Sequence, residues 1–417
     1  MQAHGPESTS STQRRGEGWL EWFAGDEQAE VEQAQHDVRF RDIVIGQTPT
    51  GACASFACLL PSARWLQVRS GSTVGQPNGG TQPESQQQEV AWDTAVMGTS
   101  ARELGRTGLM VSRIGLGLAA VGRPAYITLG RAIDLGADRN VDAMRTRSHA
   151  LLDAAYAAGV RYVDAARSYG RAEEFLGAWL SARGLAPGVM TVGSKWGYSY
   201  TGQWRLDAKV QEVKDLSVDN LRRQFAESRA LLGEYLRLYQ VHSATLESGV
   251  LEDEAVLAEL RGIKETGLTI GVTVTGPRQS ETIERARAVG VFDIVQATWN
   301  LLERSATQAL ERAHAAGVGV IVKEALANGR LTASGAEEPL LVLARDSGLA
   351  PDVLALAAVL DQPWADVVLS GAATPDQLRS NLAALEIVLD SPLQARLRHL
   401  AEPAEQYWSE RARLAWM

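Results

Sequence analysis

From Ala101 onward the chain alternates between two kinds of hydrophobic pattern. Short, nearly continuous apolar runs end on polar residues. Each is followed by a longer stretch whose apolar positions recur three and four residues apart. The first pattern suits a strand buried on both faces, the second an amphipathic helix. The β-like runs lie around Ile114 and over Arg161–Asp164, Val189–Ser194, Leu236–His242, Leu268–Thr273, Phe292–Gln296, Val318–Lys323 and Val367–Leu369. The spacing predicts helices over Ser148–Ala158, Ala172–Ala182, Ser217–Leu232, Glu252–Glu265, Gln279–Val289 and Ser305–Ala316. It predicts more over Leu340–Asp346, Pro351–Leu360 and Pro375–Leu389. Eight β-like runs, each followed by helix, predict an α/β fold, a (β/α)8 TIM barrel over residues 101–417. Two short extended runs around Gly105 and Gly108 come first and predict a β-hairpin capping the barrel bottom. Residues 123–144 interrupt the first strand-to-helix step, which is long for such a loop. Tyr126, Ile127 and Leu129 within it are candidates to line a pocket mouth.

Residues 1–100 carry no such pattern. They contain no lysine and are rich in Gln, Ser, Thr, Gly and Glu, most clearly in Gly71–Glu89. This composition predicts a long, disordered N-terminal extension. Trp19 and Trp22 would be its most distinctive contacts if it docks a partner.

Of the 417 residues, 45% are apolar, enough for a large core. The net charge of −9 argues against nucleic acid or an anionic membrane as a main partner. No run approaches the roughly 18 apolar residues of a membrane span. The two cysteines, Cys53 and Cys58, have no histidine beside them and give no zinc pattern, so no metal is expected. They fit a reducing cytoplasm.

One stretch carries more chemistry than the rest, RYVDAARSYGRAEEFLG from Arg161 to Gly177. A strand ends on Asp164, a polar loop holds Tyr169 and Gly170, and a helix follows. Lys195 closes the third predicted strand and His242 the fourth. Barrel strands present such end residues at one mouth, where the chemistry of this fold is done. A phenol with a pKa of about 10 is a poor proton donor. A lysine beside it would stabilise the phenolate and lower that value. Asp164 would hold the lysine, and His242 would give a second hydrogen bond to a developing oxyanion. Taken singly, each residue has a plainer reading: a loop acid, a half-buried ring, a solvated lysine, a packing histidine.

With its spacing of Asp164, Tyr169–Gly170 and Leu176–Gly177, this stretch resembles the aldo-keto reductases. The opening LGRTGLMVSRIGLG, from Leu104 to Gly117, strengthens the resemblance. Gly115, Gly117 and Gly122 are too far apart for a Rossmann fingerprint. The resemblance implies a nicotinamide-dependent oxidoreductase that reduces an aldehyde or ketone, or oxidises an alcohol or sugar. Asp164, Tyr169, Lys195 and His242 would be its catalytic set. It also implies cofactor contacts from Thr273, Gln296, Asn300, Lys323, Leu326, Gly329, Gly371, Thr374, Gln377 and Asn381.

Several positions depart from the family pattern. Thr273–Val274 stands where a Ser-Asn pair is usual, Lys323 where an aromatic ring usually stacks on the nicotinamide, and Ala165 where Thr is usual. Gly371 and Gln377 occupy positions that often carry cations for a 2′-phosphate. NADP(H) therefore stays only slightly ahead of NAD(H). Tyr126, Trp196, Trp204 and Trp299 are the candidate substrate pocket, and Tyr407 and Trp408 belong to a C-terminal segment expected to close over it. The alternative is a catalytically weak, nucleotide-binding regulatory barrel, similar to the β-subunits of potassium channels. The small-molecule substrate and the oligomeric state stay open.

Overall fold

The computed structural model describes residues 101–335 and 337–416. The expectations for residues 1–100, their disorder and their tryptophans included, lie outside the described residues. Strands β1 (Ala101–Glu103) and β2 (Met110–Ser112) form an antiparallel hairpin. The barrel then starts with β3 (Ile114–Gly117), β4 (Tyr162–Asp164) and β5 (Thr191–Trp196). A second hairpin, β6 (Tyr198–Tyr200) with β7 (Glu212–Lys214), leaves the end of β5. The barrel continues with β8 (Leu236–Ala244), β9 (Thr269–Val274), β10 (Ile294–Thr298), β11 (Gly319–Lys323) and β12 (Val367–Ser370). Its eight strands are closed and parallel, and β12 returns to β3 with Leu369 opposite Gly115. This is the (β/α)8 architecture that the alternating pattern predicts.

Local chemistry sets the helix ends. Asn140 Oδ1 accepts a hydrogen bond from Ala143 N at 2.9 Å and starts a helix at Val141, about two turns earlier than predicted. Ser217 and Asp253 cap the helices Val218–Leu232 and Glu254–Glu265 in the same way. Besides the early start at Val141 and the β6–β7 hairpin, further elements differ from the expectations. The 123–144 segment contains a short helix, Arg131–Leu135. The last predicted helix stops at Ala383 and gives way to a tighter turn, Ala384–Glu386. The C-terminal segment forms two further helices, Ser391–Arg398 and Ala404–Ala412.

The two ends of the barrel are built from opposite materials. At the bottom, Leu104, Leu109 and Val111 of the first hairpin pack on Tyr162, Leu238, Ile294, Ile321 and Val367 from inside the barrel. At the mouth, the first two strand-to-helix loops are locked together. Arg171 N donates to Gly122 O at 2.8 Å. A Cβ on Gly122 would fall 2.3 Å from Tyr169 O, and one on Gly170, whose φ is +61°, would fall 2.6 Å from Gly122 O. Gly122 is thus needed for a close approach of backbones. That contact fixes the loop that carries Tyr169.

Candidate active site

Four side chains meet at the mouth. Asp164 ends β4 and Lys195 lies near the end of β5; they are 2% and 1% exposed and form a buried ion pair. Lys195 Nζ also donates to Ala165 O at 2.9 Å and to Tyr169 Oη at 3.2 Å. The other carboxylate oxygen of Asp164 accepts from Tyr162 Oη (3.1 Å), Gln296 Nε2 (3.1 Å) and Gln240 Nε2 (3.4 Å). Buried charges persist only when paired and hydrogen-bonded, and this pair is both. His242 sets its ring edge-on to Tyr169 (5.6 Å between centroids) and to Tyr198 (5.0 Å). Its Nδ1 lies 3.5 Å from Ser168 Oγ.

One expectation is reversed. The lysine was expected to lower the pKa of the phenol. Burial and the neighbouring Asp164 carboxylate instead push Tyr169 well above the ordinary tyrosine value, with Arg123 opposing them. The phenol therefore keeps its proton. Burial, reinforced by Lys195, Lys323, Arg123 and Lys214, holds His242 well below the ordinary histidine value. The imidazole is neutral and has one N–H to donate.

A cavity of about 650 Å³ opens over this group. Asp164, Tyr169, His242, Gln296, Lys323, Leu326, Gly329, Gly371, Gln377 and Asn381 all line it, as do Tyr126, Ile127 and Leu129. Lys195, buried beneath Tyr169 and Asp164, does not, and neither do six other predicted residues. Thr273 is buried in β9 and accepts from Ser243 N at 2.7 Å. Asn300 is buried and its Nδ2 donates to Glu324 O and Tyr407 Oη, both at 3.0 Å. Thr374 caps the helix Pro375–Ala383 by accepting from Gln377 N. Trp196 and Trp299 are 0% and 1% exposed, and Trp299 packs edge-on to Trp364. Trp204 packs on Phe175 and donates to Arg139 O at 2.7 Å. Strand geometry explains Trp196: successive side chains face opposite sides, so its neighbour Lys195 cannot share its direction. Tyr407 and Trp408 are buried as well and anchor their helix, and the C-terminal segment reaches the cavity with Arg411, Ala412, Leu414 and Trp416 instead.

Among the charged residues of the wall that the sequence reading missed are two ion pairs, Arg123 with Glu212 and Glu324 with Arg411. Arg123 Nη1 pairs with Glu212 at 2.7 Å. Arg411 grips both carboxylate oxygens of Glu324. Glu324 follows Lys323 with φ +55°, a conformation that turns consecutive side chains toward one space. No local pattern announces these pairs, because each joins segments far apart in sequence.

The donor set fits a nicotinamide dinucleotide. Asn328 Oδ1 lines the cavity, buried and without a hydrogen-bond partner, ready to accept from an exocyclic amine. Gly371 leaves open space where a Cβ would point. Around Asn381 the wall includes Ser370, Ala373, Gln377 and the carboxylate of Asp352, which accepts from Asn381 Nδ2 at 3.2 Å. Arg379 of the same helix is exposed and paired with Asp376 at 2.8 Å. Among the described residues there is no cluster of three or more His, Cys, Asp or Glu able to hold a metal, and no helix long and apolar enough to cross a membrane.

The profile of the aldo/keto reductase family matches residues 114–402. The chain belongs to the aldo-keto reductase family. The NADH-specific methylglyoxal reductase of Escherichia coli (strain K12) is 27% identical over 340 residues, 73% of this chain and 98% of that protein. Pyridoxal 4-dehydrogenase of Microbacterium luteolum is 31% identical over a shorter span of 152 residues, 32% of this chain and 39% of its own. A solved Pseudomonas aeruginosa protein assigned as an aldo-keto reductase superposes with a TM-score of 0.51 at 28% identity, covering 68% of this chain and 94% of the other. The holo aldo-keto reductase AKR11C1 of Bacillus halodurans shares the fold, with a TM-score of 0.56 at 23% identity and coverage of 73% and 97%. Membership of this oxidoreductase family accounts for the barrel.

Proposed function

We propose that this protein reduces the carbonyl group of an aldehyde or ketone with a nicotinamide cofactor, with Tyr169 as the proton donor. The observation that carries the reading is Lys195 Nζ, 3.2 Å from Tyr169 Oη while held on Asp164. The bound cofactor supplies the hydride. Tyr169, which keeps its proton at neutral pH, gives it to the carbonyl oxygen as negative charge develops there. The ammonium of Lys195 then faces the phenolate and stabilises it. Neutral His242 donates its N–H to the same oxygen. Asp164 fixes Lys195 and so sets the distance to the phenol. In the reverse direction the phenolate accepts the proton of an alcohol.

Gln296, Lys323, Leu326, Gly329, Gly371, Gln377 and Asn381 line the cavity and would hold the cofactor. Among the described residues, the wall around Asn381 offers the carboxylate of Asp352 and no inward cation, which would repel a 2′-phosphate. That supports NAD(H) over NADP(H), against the slight preference drawn from the resemblance, and so does the NADH-specific Escherichia coli relative. The two cysteines are compatible with work in a reducing cytoplasm.

Cofactor oxidation with an activated aldehyde, NADH beside NADPH, tests the reading. Tyr169→Phe should lower kcat by about 10²–10⁴ and leave NADH binding by fluorescence titration unchanged. A variant that keeps most of its rate would remove Tyr169 from the mechanism.

A further inference from the structure

The mechanism makes no use of Arg123, which lines the cavity beside Tyr169. Arg123 follows the Gly122 contact directly and is 2% exposed. Three rings surround its guanidinium, whose carbon lies 4.7 Å from the centroid of Trp416, 5.1 Å from Tyr126 and 5.4 Å from Tyr169. Nη1 makes both of its hydrogen bonds, to Ser168 O at 2.9 Å and Glu212 Oε2 at 2.7 Å. Among the described residues, Nη2 has no hydrogen-bond partner, and neither has Nε, which is buried. A buried cation with idle donors is costly unless something else accepts from them.

The surroundings say what kind of acceptor fits. Glu212 already balances the charge of the guanidinium, so a full anion would gain little and would face the carboxylate. A neutral oxygen would not. The backbone gives Arg123 a fixed place: a Cβ on Gly170 would come within 2.8 Å of Arg123 Cβ, so the two loops cannot slide past each other without strain. The reacting oxygen is bound at Tyr169, beside this guanidinium. An oxygen on the neighbouring carbon lies ~3 Å from the reacting one, from ordinary bond lengths.

We propose that Arg123 is a specificity-determining residue that donates to a second, uncharged oxygen on the carbon next to the reacting carbonyl. The substrate class is then 2-oxo- and 2-hydroxy-aldehydes and the matching ketones, preferred over plain aldehydes and over 2-oxo acids. This assignment rests on the carbonyl-reductase reading above.

The test compares kcat/KM for methylglyoxal, propanal and glyoxylate, with NADH, in the full-length protein and in Arg123→Met and Arg123→Lys. Methylglyoxal and propanal differ in one oxygen, and their unequal intrinsic reactivity cancels when the methylglyoxal-to-propanal ratio of a variant is divided by that of the wild type. That quotient should fall on the order of 10- to 100-fold in Arg123→Met, the effect of losing a charge-assisted hydrogen bond. Arg123→Lys keeps a cation without the planar fork and should fall in between. It also serves if the methionine variant does not fold. Glu212→Gln should raise the relative rate with glyoxylate, because the opposing carboxylate is gone. Equal loss for methylglyoxal and propanal would reduce Arg123 to a structural support of Tyr169 and overturn the assignment, as would a wild type that prefers glyoxylate. A wild type that turns over plain aldehydes with an unchanged quotient in the variants sinks only the role of Arg123. A wild type with no turnover of any of the three sinks the reductase reading and this assignment with it.

Discussion

Two lysines stand at the barrel mouth four strands apart, Lys195 on β5 and Lys323 on β11, and they live under different rules. Lys195 is the more buried, yet every N–H has an acceptor: a carboxylate, a backbone carbonyl and a phenol oxygen. Lys323 has one hydroxyl, Thr298 Oγ1 at 3.0 Å, and a carboxylate oxygen of Glu324 at 4.0 Å. That carboxylate belongs mainly to Arg411. Burial pushes Glu324 up, but Arg411 and Lys323 outweigh it and hold it at about 2. Burial pulls Lys323 down to about 8, although Glu324 opposes the shift. What decides the charge of a buried amine is the number of acceptors it meets, more than its depth.

Removing the acid of the well-paired lysine should have the largest effect. Asp164→Ala leaves a buried ammonium without a counter-ion and should cost ~3–5 kcal/mol in urea unfolding. A smaller loss than that of the next variant would erase the contrast between the two sites. Glu324→Gln takes one charge from a pair and leaves an amide to accept from Arg411, so ~2–3 kcal/mol is expected. The same change should drive the pKa of Lys323 below about 8, readable by NMR of a specifically labelled lysine side chain. Lys323→Met should have the smallest effect and the opposite sign, stabilising the protein by ~1–3 kcal/mol at pH 7. The sign follows from the depressed pKa. Between about 8 and the ordinary value of 10.5 the unfolded chain binds more protons than the folded one, so wild-type stability rises with pH there. The advantage of the methionine variant is full below pH 8 and should shrink toward zero by about 10.5; a gap independent of pH would show that the charge of Lys323 is not its cause.

The same contrast marks how far the sequence could be read. Asp164, Lys195, Tyr169 and His242 lie at the ends of patterned strands or just after them, so periodicity places them at one mouth. Lys323 also ends a patterned strand, and its role there comes from the family resemblance. Its partner Arg411 comes from a helix near the C-terminus that the pattern did not announce. Trp196 and Trp299 are aromatics near a site by type alone; the direction of Trp196 is available from the two-residue period that puts Lys195 on the other side, whereas Trp299 lies just past the end of β10. Asn300 and Thr374 are polar residues used by the backbone around them, in a tertiary hydrogen bond and in a helix cap.

By itself the sequence determined the alternation of strands and helices, the capping residues that start them, and the set of chemical groups at the strand ends. Those are properties of neighbours along the chain, fixed by side-chain periodicity and by which backbone groups a local side chain can reach. The tertiary structure decided the closure of β12 onto β3, the locking of Gly122 against Gly170, and the pairing of Arg123 with Glu212 and of Glu324 with Arg411. It also decided that Tyr169 holds its proton more tightly than a free phenol. Each of these depends on desolvation and on charges brought together from distant segments, and both exist only once the barrel has closed.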